Sequence, residues 1–247
     1  MAAGILVYLA TLGLRRAQPT WIFDALVLFG AASAVGAHFA RAGEPRWAVW
    51  AAPVAALGWF AATRKELGLP RAALTIAPGA RLPDVTLATT SGTPLATSAL
   101  TGPALLVLYR GWWCPYCVTQ LRELDAEHDA LRAAGLTVYA ISVDRPDEQR
   151  ALEARMAGRV TFLSDERGAF LDALGLRHRD GVPWYDRLLF GARRQDIALP
   201  AAILVDEAGV VRFARRARRI DERPSLDELL SAWKARPAPP PGAPAAR

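Results

Sequence analysis

The sequence predicts an α/β domain preceded by an α-helical transmembrane region. Three observations carry that expectation: long uncharged apolar runs confined to the first 62 residues, strand-like runs alternating with helical patterns after residue 64, and a closing tail of Pro, Ala and Gly. Of the 247 residues, 52% are hydrophobic and 22% charged, which excludes a wholly disordered or collagen-like chain. A mean hydropathy of +0.13 beside 30 Lys and Arg and 24 Asp and Glu shows that two unlike parts are being averaged.

The apolar part comes first. Residues 1–62 hold only Arg15, Arg16, Arg41, Arg46, Asp24 and Glu44 as charged groups. At ~1.5 Å per residue, a helix over 21–40 matches the ~30 Å hydrocarbon core, and the run 47–62 pairs with it as a hairpin. Trp21 and Trp47 sit where aromatic belts form, and Pro53 is tolerated because neighbouring helices satisfy the freed backbone. The run 1–14 is too short to cross comfortably and lacks the positive start of a signal peptide, so it is either a third span or an interfacial helix. A soluble helical cap is the alternative for this region, but residues 21–62 offer no charged face to water. The expected organisation is therefore a membrane anchor over 1–63, with the lipid bilayer as partner through 1–62, and a linker over 64–77. Arg15, Arg16, Arg64 and Lys65 flank one side of the hairpin against Arg41 and Arg46 on the other. The positive-inside bias then makes this a multi-pass protein of the cell membrane with its larger domain on the cytoplasmic side; an extracytoplasmic domain is the alternative.

Beyond the linker, Ala104–Leu108 and Thr137–Val143 read as buried strands, and Ala201–Val205 and Val210–Phe213 as two more joined by the turn Asp206–Gly209. Between the first two, Leu121, Leu124, His128 and Leu131 share one helical face, and Gly135 stands where a C-terminal glycine ends a helix. Further helices are expected over Pro146–Met156 and Leu226–Lys234. The domain spans 78–235, and the tail 236–247 is expected to be disordered. Arg215, Arg216, Arg218 and Arg219 form a basic cluster, read either as a solvated loop or as a lipid-headgroup contact. The net charge of +6 comes with no nucleic-acid-binding motif, so no nucleic acid partner is expected.

The chain has two cysteines, in Trp113-Cys114-Pro115-Tyr116-Cys117, between a strand and an amphipathic helix. Placed at the helix start, Cys114 faces unpaired N–H groups and the positive end of the helix dipole, which favour the nucleophilic thiolate. Pro115 suits the first helical turn, Cys117 lies one turn on, and Arg110 adds positive charge nearby. A structural disulfide is disfavoured because so short a loop constrains an unfolded chain little, and no second cysteine pair completes a zinc site. The expected redox group is a reversible Cys114–Cys117 disulfide, with no metal or other cofactor.

Residues from about 78 to 235 resemble the thioredoxin-like superfamily, in its alkyl hydroperoxide reductase and thiol-specific antioxidant (peroxiredoxin-like, redoxin) branch. The resemblance rests on Pro78-Gly79-Ala80-Arg81-Leu82-Pro83-Asp84-Val85, on Tyr109-Arg110-Gly111-Trp112-Trp113-Cys114-Pro115-Tyr116-Cys117, on Ala140-Ile141-Ser142-Val143-Asp144 and on Leu199-Pro200. It implies a thioredoxin-like fold with a central mixed sheet flanked by helices. It also implies that Cys114 is the attacking cysteine and Cys117 the resolving one, with Arg110, Trp113 and Pro115 supporting them and Pro200 at the family's cis-proline position. A trans proline opening an edge strand is the other reading of Pro200. Gly111 and Val107 stand where typical peroxiredoxins carry a hydroxyl residue and a proline, which weighs against peroxide reduction; Arg187, Arg193 and Arg194 are candidates for a peroxide-polarising arginine. The leading expectation is a membrane-anchored thiol–disulfide oxidoreductase acting on a protein or small-molecule thiol or disulfide. A thiol peroxidase and a non-enzymatic redox sensor are the alternatives.

Overall fold

The computed structural model describes residues 68–182 and 193–235, with residues 54, 58, 187 and 191. The expected span 21–40, the run 1–14, the tail 236–247 and all of the span 47–62 but residues 54 and 58 lie outside the described residues. Among the described residues no helix is long and apolar enough to cross a membrane. Two units are distinguished. In the smaller, Gly68 forms an antiparallel bridge with Arg219, and Arg219 pairs with Asp221 at 2.9 Å. The larger, residues 70–218 with 222–235, contains everything that follows.

Its centre is β3 (Ala104–Leu108), five apolar residues all buried. A strand that reads as a continuous apolar run must be covered on both faces. β3 accordingly pairs in parallel with β4 (Thr137–Ser142) and antiparallel with β8 (Ala201–Val205), with Leu106 opposite both Tyr139 and Ile203. β4 pairs in parallel with β5 (Val160–Ser164), and β8 pairs antiparallel with β9 (Val211–Arg216). The hairpin of β1 (Thr86–Thr89) and β2 (Pro94–Ala96) closes the other edge, giving the order β2-β1-β5-β4-β3-β8-β9. A separate two-stranded ribbon joins β6 (Arg177–His178) and β7 (Ile197–Ala198).

The cysteine-bearing helix α1 (Pro115–Ala126) buries Cys117, Leu121, Leu124 and Asp125 along one stripe. It breaks at Glu127, where α2 (His128–Ala133) begins, so His128 is only half-buried while Asp125 takes the inner position. Asp125 stays satisfied there by accepting from Ala157 N (2.9 Å) and Arg159 N (3.3 Å). Gly135, at φ 74°, ends the helix as expected: Leu136 N returns to Leu131 O at 2.9 Å. Three helices complete the unit, α3 (Pro146–Glu153), α4 (Ala169–Ala173) and α5 (Leu226–Lys234). α3 packs on β5 and α5 on β9. Ser225 caps α5 by accepting from Glu228 N at 3.2 Å.

Four expected strands thus become a seven-stranded sheet. The hairpin β1–β2 and strand β5 went unread because Thr, Pro and Ser interrupt their apolar alternation. β9 also runs on to Arg216, so Arg215 and Arg216 belong to a strand rather than to a loop after it. Arg215 pairs with Glu228, and Arg216 donates to Pro70 O at 2.9 Å.

Leu106, fully buried at the centre of the sheet, is expected to carry a large share of the stability. Leu106→Ala should cost about 2–5 kcal/mol in urea unfolding without changing the slope of the transition.

Candidate active site

The parallel strands deliver the site at their carboxyl ends, where α/β folds place their ligand sites. Tyr109 N still donates to Ile141 O at 3.0 Å, so the ladder continues one residue past β3. The chain then turns through residues 110–113, and Cys114 N closes the turn on Gly111 O at 3.1 Å. Cys114 is the N-cap of α1, and Pro115 occupies the first turn, where its missing N–H costs nothing. Cys114 and Cys117 are both free thiols, both fully buried, with their sulfurs 3.0 Å apart.

The two thiols lie in unlike surroundings. No side-chain capping bond joins Cys114 Sγ to the first-turn N–H groups. Burial pushes the Cys114 thiol well above its usual value, and the adjacent Cys117 sulfur adds to the rise. The donors converge on Cys117 instead. Its sulfur accepts from Arg110 N at 3.4 Å and from Arg223 Nη2 at 3.7 Å. Burial alone would raise the Cys117 thiol too, but the bond to Cys114, the Arg223 charge and the Arg110 N–H outweigh it and bring it down to about 5. These surroundings favour negative charge on Cys117 over Cys114.

Arg110 lies at the second edge of the pair. Its Nη1 is 4.0 Å from Cys114 Sγ, and its guanidinium sits 4.9 Å from the centre of the buried Trp113 ring. Arg223 is held by donating from Nε to Gln120 Oε1 (2.8 Å) and from Nη1 to Glu222 O (2.6 Å). No sequence signal marks Arg223, which comes to the site from over a hundred residues away. Among the candidate arginines, Arg193 pairs with Glu148 (3.8 Å) and Arg194 with Glu166, while Arg187 is exposed. Among the described residues, the guanidinium groups that reach the sulfurs are those of Arg110 and Arg223.

A buried polar network anchors the turn from below. Asp144 Oδ2 accepts from Trp112 N at 2.7 Å and from Ser142 Oγ at 2.9 Å, and Ser142 Oγ in turn accepts from Gln149 Nε2 at 3.0 Å. Ser164 Oγ donates to Asp144 O at 2.6 Å. This network explains Gly111. A Cβ built there would collide with Trp113 Nε1 and lie 3.0 Å from Asp144 Oδ1, so the indole fills the space a hydroxyl-bearing side chain would need.

Pro200 departs from expectation. Among the described residues no peptide bond is cis, so the Leu199–Pro200 bond is trans. Pro200 directly precedes β8, an inner strand rather than an edge, where a residue without N–H removes no ladder bond, and its carbonyl accepts from Ala217 N at 2.8 Å.

Burial raises the Asp144 carboxyl to about 7, with the charges of Glu148 and Cys117 adding to the rise against the bonds from Ser142 and Trp112. A carboxyl with a raised folded-state pKa stabilises the fold fully below its unfolded value, and that contribution is lost as pH rises through the folded value. Stability should therefore fall between about pH 4 and pH 7 by on the order of 4 kcal/mol from this group. Asp144→Asn should flatten that slope in urea titrations at several pH values.

The comparisons with known proteins agree with the geometry. The AhpC/TSA family model matches residues 78–214. Among solved structures, the reduced Prx3 of Vibrio vulnificus superposes with a TM-score of 0.56 at 21% identity, covering 65% of this chain and 99% of that one. The peroxidoxin BcpB of Mycobacterium tuberculosis gives 0.54 at 18% identity, covering 65% and 97%. A thiol peroxidase from Chromobacterium violaceum gives 0.52 at 21% identity, covering 67% and 90%. No curated protein matches the chain. At these identities the solved structures establish the thioredoxin-like fold, and the match over more than half its length establishes that the chain belongs to the AhpC/TSA family.

Proposed function

We propose that the chain is a membrane-anchored thiol–disulfide oxidoreductase in which Cys114 attacks and Cys117 resolves. The observation that carries this reading is the pair of reduced sulfurs 3.0 Å apart at the start of α1, beside two guanidinium groups. A thiolate on Cys117 gives that residue a second task. As Cys114 Sγ attacks a substrate disulfide, its proton passes along the short sulfur–sulfur contact to the Cys117 thiolate, which serves as the local base. One substrate sulfur leaves as a thiolate and the other stays bonded to Cys114. Cys117 then loses the proton to the leaving thiolate or to solvent and attacks Cys114 Sγ. The second substrate thiolate is released, and the Cys114–Cys117 disulfide remains.

Gly111 favours disulfide exchange over peroxide reduction. The family resemblance places a peroxide-orienting hydroxyl at this position, and the Trp113 indole occupies that space. Family membership keeps a thiol peroxidase as the second reading. In it, Cys114 would be oxidised to a sulfenic acid that Cys117 resolves. The membrane anchor over 1–63 and the cytoplasmic placement of the domain complete the proposal, supported by the apolar runs and by Arg15, Arg16, Arg64 and Lys65.

Trapping tests the roles of the cysteines. Cys117→Ser should accumulate a mixed disulfide with an added disulfide substrate, visible by mass spectrometry, and Cys114→Ser should not; equal labelling of the two would reject the assignment. In the same preparations insulin reduction should exceed that by free cysteine while peroxide consumption should not. The thiolate absorbance of the reduced protein should titrate near pH 5. Arg223→Ala should move that titration up by about 1–3 pH units.

A further inference from the structure

On the α3 side of the active-site turn lies a cavity of about 290 Å³ that the exchange chemistry leaves unused. It is just below the ~300–1,000 Å³ of pockets that take drug-sized ligands, a size suited to a metabolite. Its walls are Trp112, Ala151 and Leu152, with Glu148, Arg155 and Arg193 as charged groups. Asp147, also at the cavity, is engaged by Arg145 at 3.2 Å.

Two of these groups are unfinished. Glu148 is 7% exposed, and its Oε2 accepts from Arg145 N at 3.0 Å. Its Oε1 is buried with no hydrogen-bond partner and has only the Arg193 guanidinium at 3.8 Å. The Trp112 Nε1–H is likewise closed off from water without an acceptor. A buried carboxylate oxygen left unpaired is costly, and the cost is relieved by a ligand that brings an ammonium or N–H donor. The indole N–H and the exposed Arg155 and Arg193 ask for the opposite, an acceptor that carries negative charge. Together these groups fit one zwitterionic head with an apolar stem against Leu152 and Trp112.

We propose that this cavity binds the α-amino-carboxylate head of a low-molecular-weight thiol that exchanges electrons with the Cys114–Cys117 pair. The inference rests on the oxidoreductase reading. Trp112 is both a cavity wall and a member of the turn that ends in Cys114, and its backbone N–H is fixed by Asp144 at 2.7 Å. A head held beside Trp112 therefore lies against the turn that carries Cys114 two residues on. The small thiolate attacks Cys114 Sγ of the oxidised protein. The Cys114–Cys117 bond breaks, and Cys117 leaves with the electron pair. A second small thiolate attacks the small-thiol sulfur of the mixed disulfide, releasing the small disulfide and the Cys114 thiolate. Two thiols lose two electrons, the protein disulfide gains them, and the protons reach the cysteine pair through solvent.

The test uses the oxidised full-length chain in detergent and four thiols: cysteine, N-acetylcysteine without the ammonium, cysteamine without the carboxylate, and 2-mercaptoethanol without either. Rates of dithiol formation are compared per thiolate present. Cysteine should exceed 2-mercaptoethanol by about tenfold or more, with the two truncated thiols between them. Glu148→Gln should collapse the preference for cysteine over N-acetylcysteine. Arg155→Gln, at an exposed position, should collapse the preference for cysteine over cysteamine. Because each result is a ratio within one variant, a general loss of fold does not mimic it. Equal rates for all four thiols, or preferences that survive both substitutions, would overturn the inference and leave the oxidoreductase reading standing. No reduction by any thiol would overturn both.

Discussion

Two fully buried sulfurs 3.0 Å apart, whose chemistry requires a thiolate, are the constraint on which the rest of the site depends. Both sulfurs are fully buried, and a buried anion without compensation is too costly to persist. The surrounding chain is arranged to meet that cost. The turn aims Arg110 N–H at Cys117, and Arg223 arrives from the segment before α5 with its guanidinium at 3.7 Å. Gln120 and the Glu222 carbonyl fix Arg223 in that position. Two independent parts of the chain, far apart in sequence, converge on one sulfur.

Asp144 bonds to neither cysteine, yet it belongs to the site. Cys117 is among the groups that raise the Asp144 carboxyl, so two buried acids compete for protons beneath one turn. Asp144 also carries the mechanical load, because its bond to Trp112 N holds the turn while Gly111 lets the indole of Trp113 lie close above it. Electrostatics and packing are thereby coupled at one residue. Replacing Gly111 with any larger side chain would displace Trp113, and with it the ring against which the Arg110 guanidinium rests.

Much of this was legible in the sequence, and the reasons are local. The strands Ala104–Leu108 and Ala201–Val205 read correctly because both faces of each are buried, leaving an unbroken apolar run. The helix Leu226–Lys234 read correctly because Ser225 caps it and Leu229 and Trp233 repeat at helical spacing. The cysteine pair was visible from its spacing and its place between strand and helix. Arg223 and the Glu148 cavity were not, because both arise where segments distant in sequence meet. Which sulfur the donors face was also out of reach, because spacing alone does not fix it.

Thiol exchange needs a third sulfur in line with the attacked pair, and a site whose sulfurs are fully buried offers no such path until its cover parts. The cover is the turn 110–113, with Trp113 and Arg110 stacked on each other. The stack is a cation–π contact and the turn is tied by the Asp144 bond to Trp112 N, neither of which belongs to the ladder of the sheet. The Asp144 bond to Trp112 N thus holds the turn that leads to Cys114 without belonging to the strand pairing of β3.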